Sequence, residues 1–340
     1  MITVAFFNNT GGVGKTSLVY HLAWALSDLN VRVLLADLDP QANLTALCLP
    51  EERLGEIWSA DEPSRQTIVG AVCDLRQEIG DLRVVPAEAV SRRIGLLVGD
   101  VDLATFEEKL SEAWPKCLDG HEPSDRATSA FYHAIRGAAE AWGAHVALID
   151  VGPNLSAINR SALLAAEWVV TPLKADLFST RGLRSFGPAL RRWQSEWFER
   201  LAKNPPPASF ELPTGKMEAA GYVVVQPSLY GDEAIKAYQT WLERLPGEYV
   251  RALGLPPIKG FDPRVHRDPR CLAVVRHYGS LVAMARAAQK PIFHLSPADG
   301  ALGSHAAAAR EAGTKFRDLA RLLCIHIGLE RPKRTVGAAT

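Results

Sequence analysis

Long hydrophobic runs are missing from this 340-residue chain. No stretch approaches the roughly 18 apolar residues that a membrane-spanning helix needs, so no such helix is expected. Cysteine is sparse: Cys48, Cys73, Cys117, Cys271 and Cys324 are scattered, odd in number and without a Cys-x-x-Cys pair. That spacing argues against a disulfide framework and against zinc or cluster ligation, and it fits a reducing cytoplasm. The nine histidines are equally dispersed and are expected at the surface or in satisfied core positions. Net charge is lacking as well, 38 basic residues balancing 38 acidic ones, so the total points to no partner. The first apolar segment starts at residue 2, which leads us to expect neither a signal peptide nor a helix-turn-helix domain ahead of it.

What is present is an ordinary globular composition, 47% apolar and 22% charged, long enough to bury a large core. Charge is unevenly placed. Residues 250–340 hold fifteen Lys/Arg against six Asp/Glu, leaving 23 against 32 in the rest, so the C-terminal part is the one suited to a polyanion.

The most informative stretch is residues 8–17, Asn-Asn-Thr-Gly-Gly-Val-Gly-Lys-Thr-Ser. It follows the apolar run 2–7, which reads as a buried strand, and opens a segment with Leu18, Leu22, Ala25, Leu26 and Leu29 at helical spacing. Between strand and helix, Gly11, Gly12 and Gly14 let backbone N–H groups curl around an anion at the helix N-terminus. Lys15 is spaced for the β- and γ-phosphates and the Thr16 hydroxyl for Mg²⁺. Thr10, Gly11, Gly12, Val13, Gly14, Lys15, Thr16 and Ser17 are therefore the expected nucleotide-binding set. The strict phosphate-loop pattern would place glycine where Asn9 stands.

Two further strand ends carry carboxylates. Residues 31–36 read as a strand running into Asp37-Leu38-Asp39-Pro40-Gln41-Ala42-Asn43, and residues 145–150 as a strand ending in Asp150. In a parallel sheet such ends lie at the ligand-binding edge, where Asp39 can hold a water or reach Mg²⁺ through water. Asp150 has the form of a Walker B residue beside Mg²⁺. The expected metal set is Thr16, Asp39 and Asp150, and the expected catalytic pair is Lys15 and Asp39.

Those three elements together resemble the ParA/MinD family of dimerising ATPases. The loop is similar to its deviant Lys-Gly-Gly-x-Gly-Lys-Thr form, with Thr10 at the place of the family's first lysine, and residues 37–43 resemble its Asp-x-Asp-Pro-Gln-x-Asn segment. The run from Asp150 through Asn159 and Pro172 to Gly182 resembles its switch region, with Gly152 in place of the first proline of a Pro-Pro pair. The resemblance implies an ATP hydrolase with ATP/ADP and Mg²⁺ as cofactors, in which Asp39 positions the attacking water. It implies a nucleotide-dependent homodimer that binds DNA non-specifically, works with a ParB-like or other stimulating adaptor, and segregates DNA or other cargo in the cytoplasm at the nucleoid. Thr10 cannot deliver the lysine charge to a partner's nucleotide, so weakened dimerisation or hydrolysis is expected. Alternatives are a nucleotide-binding scaffold with little hydrolysis, a MinD-like membrane-positioning ATPase, and a metabolic phosphate-loop enzyme.

Alternating strands and helices predict an α/β fold with a doubly wound, mostly parallel sheet. One domain is expected over residues 1–330, with insertions near 50–144 and 203–216 and a basic tail at 331–340. Short strands are expected at 82–85 and 94–98, helices at 103–113 and 127–142, and a loop at 121–125. Further on, 157–165 reads as a helix, 168–172 as a strand, and 181–201 as a helix mixing Arg184, Arg191 and Arg192 with Trp193 and Trp197, the tryptophans expected in the core. Pro205, Pro206 and Pro207 mark a loop, 221–226 the last clear strand, and 232–245 a helix. A proline- and arginine-rich stretch with Lys259 and Arg264 follows, then helices at 283–289 and 306–327. The last has Phe316, Leu319, Leu322 and Leu323 on one face and is expected to dock on the sheet rather than on a membrane.

Overall fold

A computed structural model describes residues 1–61, 64–77, 80–203, 210–227, 232–257 and 264–330. The prolines at 205–207, Lys259 and the tail 331–340 lie outside the described residues.

Strand β1 (Ile2–Phe6) runs into the glycine loop and α1 (Lys15–Asp28). Strand β2 (Val33–Leu38) leads to α2 (Asn43–Cys48), α3 (Glu51–Trp58) and α4 (Ile68–Gln77). Strands β3 (Glu88–Ser91) and β4 (Ile94–Leu97) precede α5 (Glu107–Leu118), α6 (Glu122–Thr128) and α7 (Ala130–Trp142). The alternation continues through β5 (Val146–Val151), α8 (Ala157–Leu164), β6 (Trp168–Leu173), α9 (Leu177–Lys203), β7 (Glu218–Gln226) and α10 (Asp232–Leu253). It closes with β8 (Cys271–Arg276), α11 (Ser280–Ala288) and α12 (Ser304–His326).

Among the described residues, eight strands form one sheet in the order β3-β4-β2-β5-β1-β6-β7-β8. All pairings are parallel except β3 with β4. Alternation along the strands sends side chains to two cores. Ala5, Phe7, Leu34 and Ala36 face the layer of α4, α5, α7, α8, α9 and α10, while Val4, Phe6, Val33 and Leu35 face α1, α11 and α12. The order steps from β1 to β5 and then β2 on one side and to β6 on the other, which places the glycine loop at the crevice where strand order reverses.

The closing helix settles on the sheet as expected. Phe316, Leu319 and Leu323 are buried in the same core as Leu18, Leu22 and Leu26 of α1. At about 1.5–3 kcal/mol per large apolar side chain, those three contribute on the order of 5–9 kcal/mol that detachment onto a bilayer would have to replace. Trp193 and Trp197 are buried as expected, and Trp197 stacks on Trp114 at 6.0 Å. The neighbouring arginines are used internally: Arg184 makes a two-pronged pair with Glu248 of α10 (3.0 and 2.9 Å), and Arg191 donates to the Ala252 carbonyl.

Several expectations are corrected. Residues 82–85 form no strand, because Pro86 interrupts the segment and Arg83 is pinned to Asp74 at 2.7 Å; the strand lies at β3. Residues 121–125 are not simply a loop, since α6 starts at Glu122 with Pro123 in its first turn, where a missing N–H costs nothing. The helix expected at 103–113 begins as a 3₁₀ turn (Val101–Phe106) and continues as α5 to Leu118. Residues 221–226 are not the last strand: β8 pairs with β7, with Leu272 and Val275 buried. Helix α10 runs past residue 245 to Leu253 despite Pro246. The region 50–144 supplies β3 and β4 to the same sheet.

Candidate functional site

The glycine loop is shaped for an anion before any ligand is considered. Gly12 (φ 68°) and Gly14 (φ 84°) take left-handed conformations, and Gly14 is the N-cap of α1 with no side chain capping it. Glycine brings no side-chain oxygen to the first amide groups of α1, so no N-cap group competes with a phosphate for them. Residues 10–17 line a cleft of about 530 Å³ together with Asp39, Gln41, Asn43, Ala46, Leu47, Pro153 and Arg286.

Strand register brings the acids together. Strand β5 lies between β1 and β2, pairing Asp150 with Phe6 on one side and with Asp37 on the other. Asp150 is fully buried, and among the described residues neither carboxylate oxygen has a hydrogen-bond partner. The Lys15 ammonium is 3.9 Å from its Oδ1. Burial pushes its pKa up to about 6, with the Lys15 charge opposing the rise. A buried acid with two unsatisfied oxygens, next to the hydroxyl-bearing Thr16, is the hard oxygen donor set that suits Mg²⁺, and the uncapped helix terminus suits phosphate. Asp39 is 5% exposed, lines the cleft, and accepts the Gln41 N–H at 3.0 Å.

Sequence reasoning passed over Asp37. Its carboxylate accepts the Thr45 N–H at 2.8 Å and the Asp39 N–H at 3.3 Å, anchoring the turn that carries Asp39. Burial, and then the negative charge of Asp150, push its pKa up to about 7. The Asp-x-Asp spacing was the available signal, since a carboxylate inside an apolar strand must serve a neighbour. Arg286 was also missed: it reaches the cleft from α11, and no local pattern marks it. The loop after Asp150 is held by Asn159, whose amide accepts the Gly152 N–H at 3.1 Å and donates to the carbonyls of Gly152 (2.9 Å) and Asn154 (2.7 Å). A Cβ on Gly152 would sit 3.5 Å from both Asp39 Oδ1 and Asn159 Nδ2, ordinary contact, but a proline there would lose the N–H that Gly152 donates to Asn159.

Thr10 donates its N–H to Asn8 Oδ1 (3.0 Å), and its hydroxyl faces the Phe178 carbonyl at the start of α9 (3.4 Å). Gly182 makes this approach possible, because a Cβ there would come within 2.5 Å of Thr10 Oγ1 and 2.8 Å of Asn9 Oδ1. Gly182→Ala is accordingly expected to displace the loop, costing about 1–3 kcal/mol of stability. A titration with fluorescent ADP should show roughly tenfold weaker binding, about 1.4 kcal/mol. Unchanged affinity would show that α9 does not hold the loop.

The parallel sheet, the glycine loop on β1 and the acids on β2 and β5 define a ParA/MinD-type phosphate-loop ATPase. Residues 1–203 match the family model AAA_31, described as an AAA domain, and the chain belongs to that family. It is 32% identical over 180 residues to the chromosome-partitioning ATPase Soj of Thermus thermophilus, covering 53% of this chain and 57% of Soj. The chain spans only 42% to 65% of the length of the curated relatives it matches first. In fold it is similar to protein DIP2308 from Corynebacterium diphtheriae (20% identity, TM-score 0.68, 96% of this chain and 99% of that one). It is similar also to a singly substituted variant of Cyanothece McdA in complex with ATP (14% identity, TM-score 0.56, 98% and 99%). Among the described residues no helix is long and apolar enough to cross a membrane.

Proposed function

We propose that this chain is an ATP-hydrolysing dimerisation switch of the partition type, which binds DNA without sequence preference in its ATP state and thereby positions DNA or other cargo. One observation carries the reading: exposed apolar side chains stand two residues past the cleft-lining Pro153 and at the start of α9, where the Phe178 carbonyl meets the cleft-lining Thr10. Leu155, Leu177 and Phe178 are 39%, 41% and 68% exposed. Nucleotide phosphates and a second subunit would thus share one surface, the arrangement by which a γ-phosphate can govern an interface.

In this reading the amides of residues 11–16 and the Lys15 ammonium hold the β- and γ-phosphates, Thr16 and Asp150 hold Mg²⁺, and Asp39 reaches it through water. Bound Mg²⁺ would supply charge neutralisation on the phosphate oxygens. Asp39 keeps the attacking water in place, and the apolar rim excludes bulk solvent when a second copy covers it. Soj, named a chromosome-partitioning ATPase, and McdA, solved with ATP, support the nucleotide assignment. The basic C-terminal part, with Arg310 and Lys315 exposed on α12, supports a DNA-facing surface in a cytoplasmic, nucleoid-bound protein. An adaptor of the ParB kind would stimulate turnover.

A second reading, a scaffold that binds nucleotide but hydrolyses it slowly, is favoured by Thr10. Its hydroxyl is directed at the chain's own Phe178 carbonyl, and it carries no charge to offer a partner's phosphates. Sedimentation with Mg²⁺-ADP and with a non-hydrolysable ATP analogue, each with and without random-sequence DNA, tests the switch. We expect an ATP-specific dimer whose DNA affinity falls with a log–log salt slope of about −0.9 per neutralised phosphate. A monomer in every state would overturn the reading. Thr10→Lys is expected to raise both dimer affinity and turnover; a variant that changes neither would remove Thr10 from the account.

A further inference from the structure

The helix that follows the Asp150 loop is held by a residue from another part of the chain. Glu107, the first residue of α5, accepts the N–H of Ala157 at 2.7 Å with one carboxylate oxygen and that of Ile158 at 2.9 Å with the other. The local N-cap, Ser156, takes the next N–H, that of Asn159, at 3.2 Å. Between them, Glu107 and Ser156 satisfy the first three amides of α8.

A cap supplied from fifty residues away does more than end a helix, because of what lies on either side of it. On one side, residues 152–156 lead from Asp150 into α8: Pro153 lines the cleft, and Gly152 stands beside Asp39. On the other side, α5 is tied to both helices that frame the site. Arg160 of α8 lies over the Trp114 ring at 4.4 Å, and Trp114 Nε1 donates to Glu196 of α9 at 3.1 Å. Helix α9 in turn touches the phosphate loop through Gly182 and Phe178. The loop after the metal-side acid and the phosphate loop are therefore joined, through protein contacts, at α5.

Building on the ATPase reading above, we propose that Glu107 is a positioning residue for hydrolysis: it fixes the start of α8, and with it the 152–156 loop, relative to the γ-phosphate end of the cleft, so that α5 sets how readily that loop responds to ATP. The negative carboxylate suits the helix N-terminus, and its two-pronged grip sets direction as well as distance. Loss of the grip frees the loop without altering the phosphate cradle, which rests on β1 and α1.

Deuterium exchange over residues 152–158 tests this without relying on turnover. The parent, Glu107→Ala and the isosteric Glu107→Gln are each compared apo, with Mg²⁺-ADP and with a Mg²⁺-bound non-hydrolysable ATP analogue. The parent should gain protection in this segment with the ATP analogue over ADP. Glu107→Ala should exchange about tenfold faster there and lose the difference, while binding ADP within about twofold of the parent. Glu107→Gln, which keeps an acceptor but not the charge, should fall between them, and phosphate release should follow the same order. A Glu107→Ala protein that retains the ATP-against-ADP difference, or that turns over at the parent rate, overturns the proposal and leaves Glu107 a structural cap. A parent that binds no nucleotide overturns the ATPase reading first, and this inference with it.

Discussion

Lys15→Ala is expected to weaken nucleotide binding by about one to two orders of magnitude, the loss of a charge-assisted contact being about 1.5–3 kcal/mol. Asp39→Ala is expected to bind nucleotide as tightly as the parent yet turn over at least about 100-fold more slowly, the scale of a lost water-orienting or basic group. The contrast follows from placement. Lys15 stands in the loop itself, 3.9 Å from Asp150, and its removal strips the cradle of its central charge and the buried acid of its counter-ion. Asp39 lies across the cleft at the end of β2, held by the Gln41 amide, and contributes nothing to the amide cradle. Equilibrium binding of a fluorescent ATP analogue, measured beside single-turnover phosphate release, separates the two. Equal loss of binding in both variants would mean that Asp39 is a ligand rather than a water-positioning group. Normal turnover in Asp39→Ala would remove it from the chemistry.

The fold and the phosphate cradle were legible because they depend on local pattern. Apolar runs ending in Asp37-x-Asp39 and Asp150 announce parallel strands, and a glycine loop between strand and helix has few other physical uses. The same logic misread segments whose periodicity is broken by a residue tolerated in context. Pro123 reads as a breaker yet sits in the first turn of α6, and Pro246 lies inside α10. The short β8 was hidden beside a proline- and arginine-rich stretch. Site residues outside the motifs were out of reach for a different reason. Arg286 and Glu107 enter the site from elements far along the chain, and only packing brings α11 and α5 against residues 8–17 and 152–158. Glu107 carries no signature because a carboxylate opening a helix is ordinary; its partner is the start of another helix.

The nucleotide-free protein is expected to lose stability as pH rises from 5 to 8, with two buried acids driving the loss and one buried histidine partly offsetting it. Asp37 and Asp150 are raised to about 7 and about 6, chiefly by burial, from an ordinary value of 3.8. The folded state therefore binds their protons more tightly than the unfolded chain does. That advantage is whole below 3.8 and is lost as pH rises through about 6 and about 7. Between pH 5 and 8 the two acids together remove about 4 kcal/mol of stability. His21 works in the opposite direction. It is buried between α1 and α12, stacked on Phe316 at 5.1 Å, with Nδ1 on the Ser17 carbonyl (2.7 Å) and Nε2 without a partner among the described residues. Burial lowers its pKa from 6.5 to about 4, so the unfolded chain takes the proton first, and stability present above 6.5 is lost as pH falls toward 4. At pH 5 that loss is about 2 kcal/mol. Urea melts across this range should show Asp37→Asn making the decline shallower, since the amide oxygen still accepts the Thr45 N–H, and His21→Phe making it steeper between pH 5 and 6.5. Mg²⁺-nucleotide should make the decline shallower, because the cation favours the ionised form of Asp150. A decline that persists unchanged in Asp37→Asn, or that keeps its slope when nucleotide is added, would show that the buried acids do not govern the pH response.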